Sequence, residues 1–140
     1  MSYVSPVPQS KLAHMRPGEI SLFRRFEILD PLAPAEYEFD LHLGRGMPID
    51  PSWPRWLQLM ATRLTQKRVD VVAYTKTATW ILEIKIRAGP AAVGQLVTYL
   101  SLFIHQCPSP LPTYVAIIAD RNSYDMFQVY ETLGISLFLV

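Results

Sequence analysis

Arg68-Val69-Asp70-Val71-Val72 and Trp80-Ile81-Leu82-Glu83-Ile84-Lys85 are the two stretches that decide the fold. Both are rich in β-branched and aromatic residues, and the short polar linker Thr75-Lys76-Thr77-Ala78 lies between them. Val69 to Tyr74 and Thr79 to Ile86 therefore read as the two strands of a β-hairpin. Side chains alternate across a strand, so Glu83 and Lys85 share one face. Leu82, Ile84 and Ile86 share the other, which should pack on the core. In the first strand Asp70 shares a face with Arg68 and Val72. A two-residue Lys76-Thr77 tip sets Asp70 opposite Glu83, although Lys-Thr is not a favoured tip. A register moved by two residues sets Asp70 opposite Lys85 instead, and all three still share one face.

Two carboxylates facing each other across a sheet repel, at a cost on the order of 0.2–1 kcal/mol, more when poorly solvated. A divalent cation removes the conflict, and Mg²⁺ (or Mn²⁺) takes carboxylate oxygens together with water and phosphate. Asp70 and Glu83 are thus candidate metal ligands, and the backbone carbonyl of Ile84 is a third oxygen. Lys85 beside them would orient or deprotonate an attacking water, or steady a charged phosphorane-like state. The plain alternative is an exposed hairpin face carrying a cross-strand ion pair.

Working outward, Ala91 to Gln106 reads as a helix with no formal charge when His105 is neutral, ended by Pro108, Pro110 and Pro112. Gln95 and Tyr99 lie four residues apart, on one helical face. Tyr114 to Ala119 is an apolar strand. Asn122 is placed to cap a helix running to Leu133, closed by Gly134, and Ile135 to Val140 reads as a last, buried strand. Upstream of the hairpin, Arg55 to Gln66 is a helix with Trp56, Leu57, Met60 and Leu64 as apolar anchors. Glu36 to Leu43 alternates as a half-buried strand, with Tyr37, Phe39, Leu41 and Leu43 on one side. Arg16 to Phe26 is a short helix with Pro17 in its first turn and Glu19 close behind. Residues 1–15, with Pro6 and Pro8, read as an extended tail, and residues 16–140 as one domain. The predicted architecture is α/β, a mixed sheet flanked by helices.

The Asp70, Glu83-Ile84-Lys85 spacing resembles the Asp-spacer-Glu-X-Lys signature of the PD-(D/E)XK nuclease superfamily. Gln95 and Tyr99 match the Gln-X-X-X-Tyr motif of its RecB-like branch. The overall pattern also looks like small phage-encoded members. The resemblance implies a restriction-endonuclease-like fold and metal-dependent phosphodiester hydrolysis. It implies Asp70, Glu83, Lys85, Gln95 and Tyr99 as the catalytic set, with Gln95 and Tyr99 positioning substrate or water. The family often adds an acid on its first helix. Glu19 is the candidate by position, with Glu27 competing, and it would be a further metal ligand. No Pro precedes Asp70.

Composition bounds the rest. The 140 residues carry a formal net charge of +1. From Arg55 to Arg87, however, there are seven basic and two acidic residues. That local excess suits a phosphate-handling site. Arg63, Lys67, Arg68, Lys76 and Arg87 are the candidates for DNA backbone contacts. The bland reading is a solvated basic helix and loop. Cys107, the only cysteine, cannot form an internal disulfide. His14, His42 and His105 have no metal-ligand spacing. Trp53 and Trp56 either stack on bases or pack locally beside prolines. The stretch from Ala88 to Ala119 is uncharged but too broken by Gly and Pro to span a membrane. No basic segment precedes an apolar one at the N-terminus, so no signal peptide is expected.

Two functions follow. The first is a metal-dependent nuclease acting on DNA in the cytoplasm of a host cell. The second is a non-catalytic phage virion or assembly component that keeps the fold. A chain this small has little surface for a duplex, so a homo-oligomer or a larger protein assembly is expected with either.

Overall fold

The structure is a computed structural model that describes residues 6–140; the first five residues of the expected tail lie outside it. In chain order the elements are helix α1 (Pro17–Leu29), strand β1 (Glu36–Leu43), helix α2 (Arg55–Thr65), β2 (Lys67–Tyr74), β3 (Thr79–Ala88), helix α3 (Pro90–Gln106), β4 (Thr113–Asn122), helix α4 (Met126–Leu133) and β5 (Ile135–Leu139). The strands form one sheet in the order β1-β2-β3-β4-β5. β1, β2 and β3 are antiparallel neighbours, whereas β4 and β5 join in parallel. The fold is therefore α/β, a five-stranded mixed sheet with helices on both faces. Among the described residues no helix is long and apolar enough to cross a membrane.

The hairpin has the register of the Lys76-Thr77 tip: Val71 faces Leu82 and Tyr74 faces Thr79. A disfavoured tip is made workable by Thr75. Its hydroxyl accepts the N–H of Ala78 at 3.0 Å and that of Thr77 at 3.3 Å, while Thr75 N donates to Ala78 O at 2.9 Å. A side chain thus supplies the acceptor that the strained turn backbone would otherwise provide.

Each sheet face has its own core. Phe23 and Phe26 of α1 pack with Val71, Ala73, Leu82, Ile84, Ala116 and Ile118 on one side. Leu96, Tyr99 and Phe103 of α3, with Met126 and Tyr130 of α4, pack with Val72, Ile81, Val115 and Ile117 on the other. The large apolar side chains in both clusters are removed from water, each worth about 1.5–3 kcal/mol.

The alternation breaks at one level of the sheet. Tyr37 and Phe39 of β1 pack toward α1, but Leu41 and Leu43 pack toward α3. On β2, Val71 packs toward α1 and Val69 toward α3. The change falls where Asp40 and Asp70 sit opposite each other, between the pairs Phe39–Val71 and Leu41–Val69. Asp40 has φ +56°, an uncommon left-handed conformation inside a strand. One such residue rotates the ribbon and sends the next apolar residue to the other face without an insertion.

Several expectations need correction. Trp56, Met60 and Leu64 do not anchor α2: they are 63%, 45% and 74% exposed, Leu57 is only half-buried, and the helix has no buried residue. Asn122 does not cap α4; it ends β4 and accepts a hydrogen bond from Tyr130 Oη at 2.8 Å, and Asp125 precedes the helix. β5 is an edge strand and mostly half-buried. Gln9–Leu12, within the expected tail, forms a 3-10 turn whose Leu12 is fully buried against the α1 side of the sheet.

Candidate active site

The β2–β3 ladder ends at Val71–Leu82, one pair short of Asp70 and Glu83. Beyond it β2 stays with β1 down to Lys67, and β3 stays with β4 up to Ala88. The sheet forks there. An N–H on β3 just past the fork has lost its strand partner, and Asp70 replaces it: Oδ2 of Asp70 accepts Ile84 N–H at 3.1 Å. On the opposite side of β2, the Asp70 carbonyl lies 3.2 Å from His14 Nε2. A carbonyl only accepts, so Nε2 of His14 carries the proton. Asp70 is thus held through both side chain and backbone.

Glu83 is 3% exposed and lies next to Asp70 in this fork. Lys85 Nζ is 3.6 Å from Glu83 Oε1, but Glu83 Oε2 is buried without a hydrogen-bond partner. Burial, then the charge of Asp70, pushes the Glu83 carboxyl up to about 9, against the pull of Lys85. Asp70 is also raised, mainly by burial and further by Glu19, with the Ile84 N–H opposing. Two desolvated carboxylates side by side favour keeping a proton between them or holding a cation.

From α3, the Gln95 amide Nε2 lies 3.4 Å from Tyr99 Oη, and Gln95 Oε1 is buried and unpaired. Tyr99 is raised by burial and then by the charge of Glu83, with a smaller effect of Asp70, which puts its hydroxyl within the field of the carboxylates. The fold therefore gathers Asp70, Glu83, Lys85, Gln95 and Tyr99 in one place.

The other candidates are distributed differently. Glu19 is near enough to raise Asp70, but its Oε2 accepts the N–H of Arg16 at 3.3 Å and so serves the start of α1. Glu27 is occupied by Arg24 at 2.9 Å and by Val7 N at 2.6 Å. Among the described residues, no group of three or more His, Cys, Asp or Glu side chains is arranged to hold a metal ion. Any cation would rest on the Asp70–Glu83 pair with non-carboxylate oxygens. The buried, unpaired Oε2 of Glu83 is the observation that fits such an ion, because it is an oxygen acceptor aimed at no donor.

Arg68 is spoken for: its guanidinium donates to both oxygens of Asp40 at 2.7 and 2.8 Å, which lowers the Asp40 carboxyl. Lys76 is at the hairpin tip, at the far end of β3: the four residues from Thr79 to Glu83 alone span roughly 13 Å. Lys67 and Arg63 are exposed near the start of β2. Arg87 is exposed two residues past Lys85 and stands in register with Arg121 of β4. Arg121 and His14 were not singled out from the sequence. Arg121 reaches this end of the sheet only through the parallel β3–β4 register. His14 reaches Asp70 only because Leu12 and Met15 dock the N-terminal segment on the sheet. A surface cleft of about 720 Å³ is not over the carboxylates; it lies between that segment and β1 and borders the site through His14 and Asp40. The desolvated carboxylates, not the cleft, define the candidate site, since they carry groups that could do chemistry.

No protein-family model matches the sequence, and none of the curated proteins compared with it does. Among solved structures, a protein of unknown function, AF1548, superposes with a TM-score of 0.53 at 14% identity, covering 86% of this chain and 56% of that one. A repair endonuclease from Pyrococcus abyssi gives a TM-score of 0.49 at 15% identity, covering 99% of this chain and 49% of that one. The chain spans about half the length of each. At such identities the likeness to AF1548 is one of fold alone.

Proposed function

We propose that the chain is a metal-dependent nuclease that hydrolyses phosphodiester bonds in DNA, of the PD-(D/E)XK kind. The observation that carries this reading is the fork. Asp70 is held there by the Ile84 N–H, beside a buried Glu83 that keeps one oxygen unpaired and has Lys85 at 3.6 Å. Such a pair is unfavourable as mere structure.

Asp70, Glu83 and the Ile84 carbonyl would hold Mg²⁺ or Mn²⁺, with Glu19 a further candidate. The ion would polarise a phosphoryl oxygen and acidify a bound water. Lys85, with its ammonium half out of the protein, would face the negative charge that gathers on phosphorus as the water oxygen bonds to it and the leaving oxygen departs. The free Oε1 of Gln95 is an acceptor for a water proton, and Tyr99 fixes the amide that carries it. Arg87 and Arg121, with Arg63 and Lys67, would bind the DNA backbone, contacts that read charge and not sequence. A plasmid-cleavage assay with Mg²⁺, Mn²⁺ and EDTA tests this. Metal-dependent cleavage lost in Lys85→Ala supports it, and no cleavage of single- or double-stranded DNA overturns it.

A second reading is a phage virion or assembly protein that keeps the fold, and one observation favours it. The outward side of α3 carries no charge and leaves Val97 and Ile104 half exposed, which suits contact with a further protein or a second copy. Assembly measured by sedimentation, with and without Lys85→Ala, separates the two: a variant that assembles but does not cleave belongs to a nuclease.

A further inference from the structure

α2 is the part of the molecule that the sheet does not account for. It makes no extensive contact with any other helix or strand among the described residues. Its attachment is through its own loop: Met47 N donates to Thr65 Oγ1 at 2.7 Å, and Gln66 Nε2 donates to Gly44 O at 2.7 Å. The half-buried residues Leu57, Gln58, Ala61 and Thr62 mark its inner side. Its outer side presents Trp56, Leu59, Met60 and Leu64, between 45% and 74% exposed. A helix of this length is marginal in water without packing on one face. Here the most apolar residues are the ones left out.

The charge around this stripe is one-sided. Arg55 and Arg63 are on the helix, Lys67 follows it, and no acidic residue occurs between Asp50 and Asp70; Arg68 is already paired with Asp40. A second copy of the chain fits poorly. The stripe from Trp56 to Leu64 is about 12 Å long, too short for an interface near 1,000 Å². Two such helices would also bring together arginines with no acids to meet them. A ligand with flat apolar faces and regularly spaced negative charge fits both properties, and that describes a nucleic-acid strand with unpaired bases. The place suits it too: Asp70 is the fifth residue after Thr65, so the end of α2 is at most roughly 18 Å from the backbone of Asp70.

We infer that the outer face of α2 is a platform for single-stranded nucleic acid. Bases stack on Trp56 and lie along Met60 and Leu64, and Arg55 and Arg63 take phosphates. Resting on the nuclease reading, this makes the substrate a strand that is single or splayed beside the site.

The test is binding in EDTA, where cleavage plays no part. Fluorescence anisotropy of a labelled oligothymidylate of roughly 15–20 nucleotides, longer than one platform needs, is compared with a blunt duplex of the same length. The full chain should prefer the single strand and quench its tryptophan fluorescence on binding. Trp56→Ala should weaken that binding on the order of tenfold, in line with loss of one stacked base. Arg63→Gln should flatten its salt dependence. Circular dichroism of each variant shows whether the helix persists, and Trp56→Phe, which keeps a stacking ring, should bind nearly as wild type. Equal affinity for duplex and single strand, or unchanged binding by a folded Trp56→Ala, overturns the inference. So does a dimer in sedimentation that Trp56→Ala dissolves without affecting DNA binding. Binding without any metal-dependent cleavage would leave the platform standing and defeat the nuclease reading.

Discussion

The carboxylate of Asp70 accepts the backbone N–H of Ile84 at 3.1 Å, where a strand carbonyl would be in an unbroken ladder. This one bond ties the fork in the sheet to the candidate chemistry. A side chain that completes a ladder has little rotamer freedom, so Asp70 is preorganised next to Glu83 before any ligand arrives.

Lys85→Ala should abolish DNA cleavage and leave the fold intact. Removing one well-placed charge at a transition state costs on the order of 10²–10³ in rate. The Glu83 carboxyl is held up at about 9, so at neutral pH little ion pairing with Lys85 is there to lose, and the fold should persist. Cleavage kinetics and a thermal melt on the same sample check this, and a melt that collapses along with the activity would place Lys85 in the structural core.

Stability without metal should fall as pH rises from about 4.5 toward 9. The Glu83 carboxyl is held up at about 9 in the folded chain, against the ordinary 4.5. Between those values the folded state binds more protons than the unfolded one, so raising the pH favours unfolding, by at most about 1.4 kcal/mol per pH unit for one proton. Glu83→Gln should flatten this slope and melt higher than wild type at pH 8 in EDTA. Parallel melting curves for the two proteins across this range would show that Glu83 titrates normally.

Mn²⁺ binding should depend on the same carboxylate. Calorimetry should find weak binding by wild type, stronger at higher pH because the ligand must be deprotonated. It should find none by Glu83→Ala. Equal binding by both would remove Glu83 as a ligand.

Two glycines should respond in opposite directions. Gly46 has φ +73°, and an added Cβ would come within 2.8 Å of the Thr62 carbonyl in the last turn of α2. Gly46→Ala should destabilise by about 1–2 kcal/mol from the left-handed backbone alone, and more from that contact. Gly94 is inside α3 with nothing near its missing Cβ. Gly94→Ala should stabilise by roughly 0.5–1 kcal/mol. Denaturant melts of both variants decide.

Much of this was legible in the sequence because it rests on period and local turn chemistry. The alternation in Trp80 to Lys85 put Glu83 and Lys85 on one face, and the Thr75 to Ala78 linker left two registers, of which the Lys76-Thr77 tip is the one found. What stayed hidden depends on contacts distant in sequence. Strict alternation placed Arg68 and Asp70 on one face, but the left-handed Asp40 on the neighbouring strand rotates the ribbon there, and Arg68 turns to Asp40. The 3.6-residue spacing of Trp56, Met60 and Leu64 marked an apolar stripe correctly. Spacing alone does not say whether a stripe meets the core or solvent. Asn122 looked like a cap because β4 continues past its apolar run under the pull of its parallel partner β3, which carries it to Arg121 and Asn122.

The face change at Asp40 and Asp70 has a mechanical consequence. The β1–β2 ribbon is clamped to α1 on one side of that level and to α3 on the other. When two clamps on a twisted ribbon rock against each other, displacement grows with distance from the crossing point and vanishes near it. Asp70 is at the crossing. A small rocking of one layer against the other would therefore leave its carboxylate nearly in place, whereas residues farther along the ribbon would move.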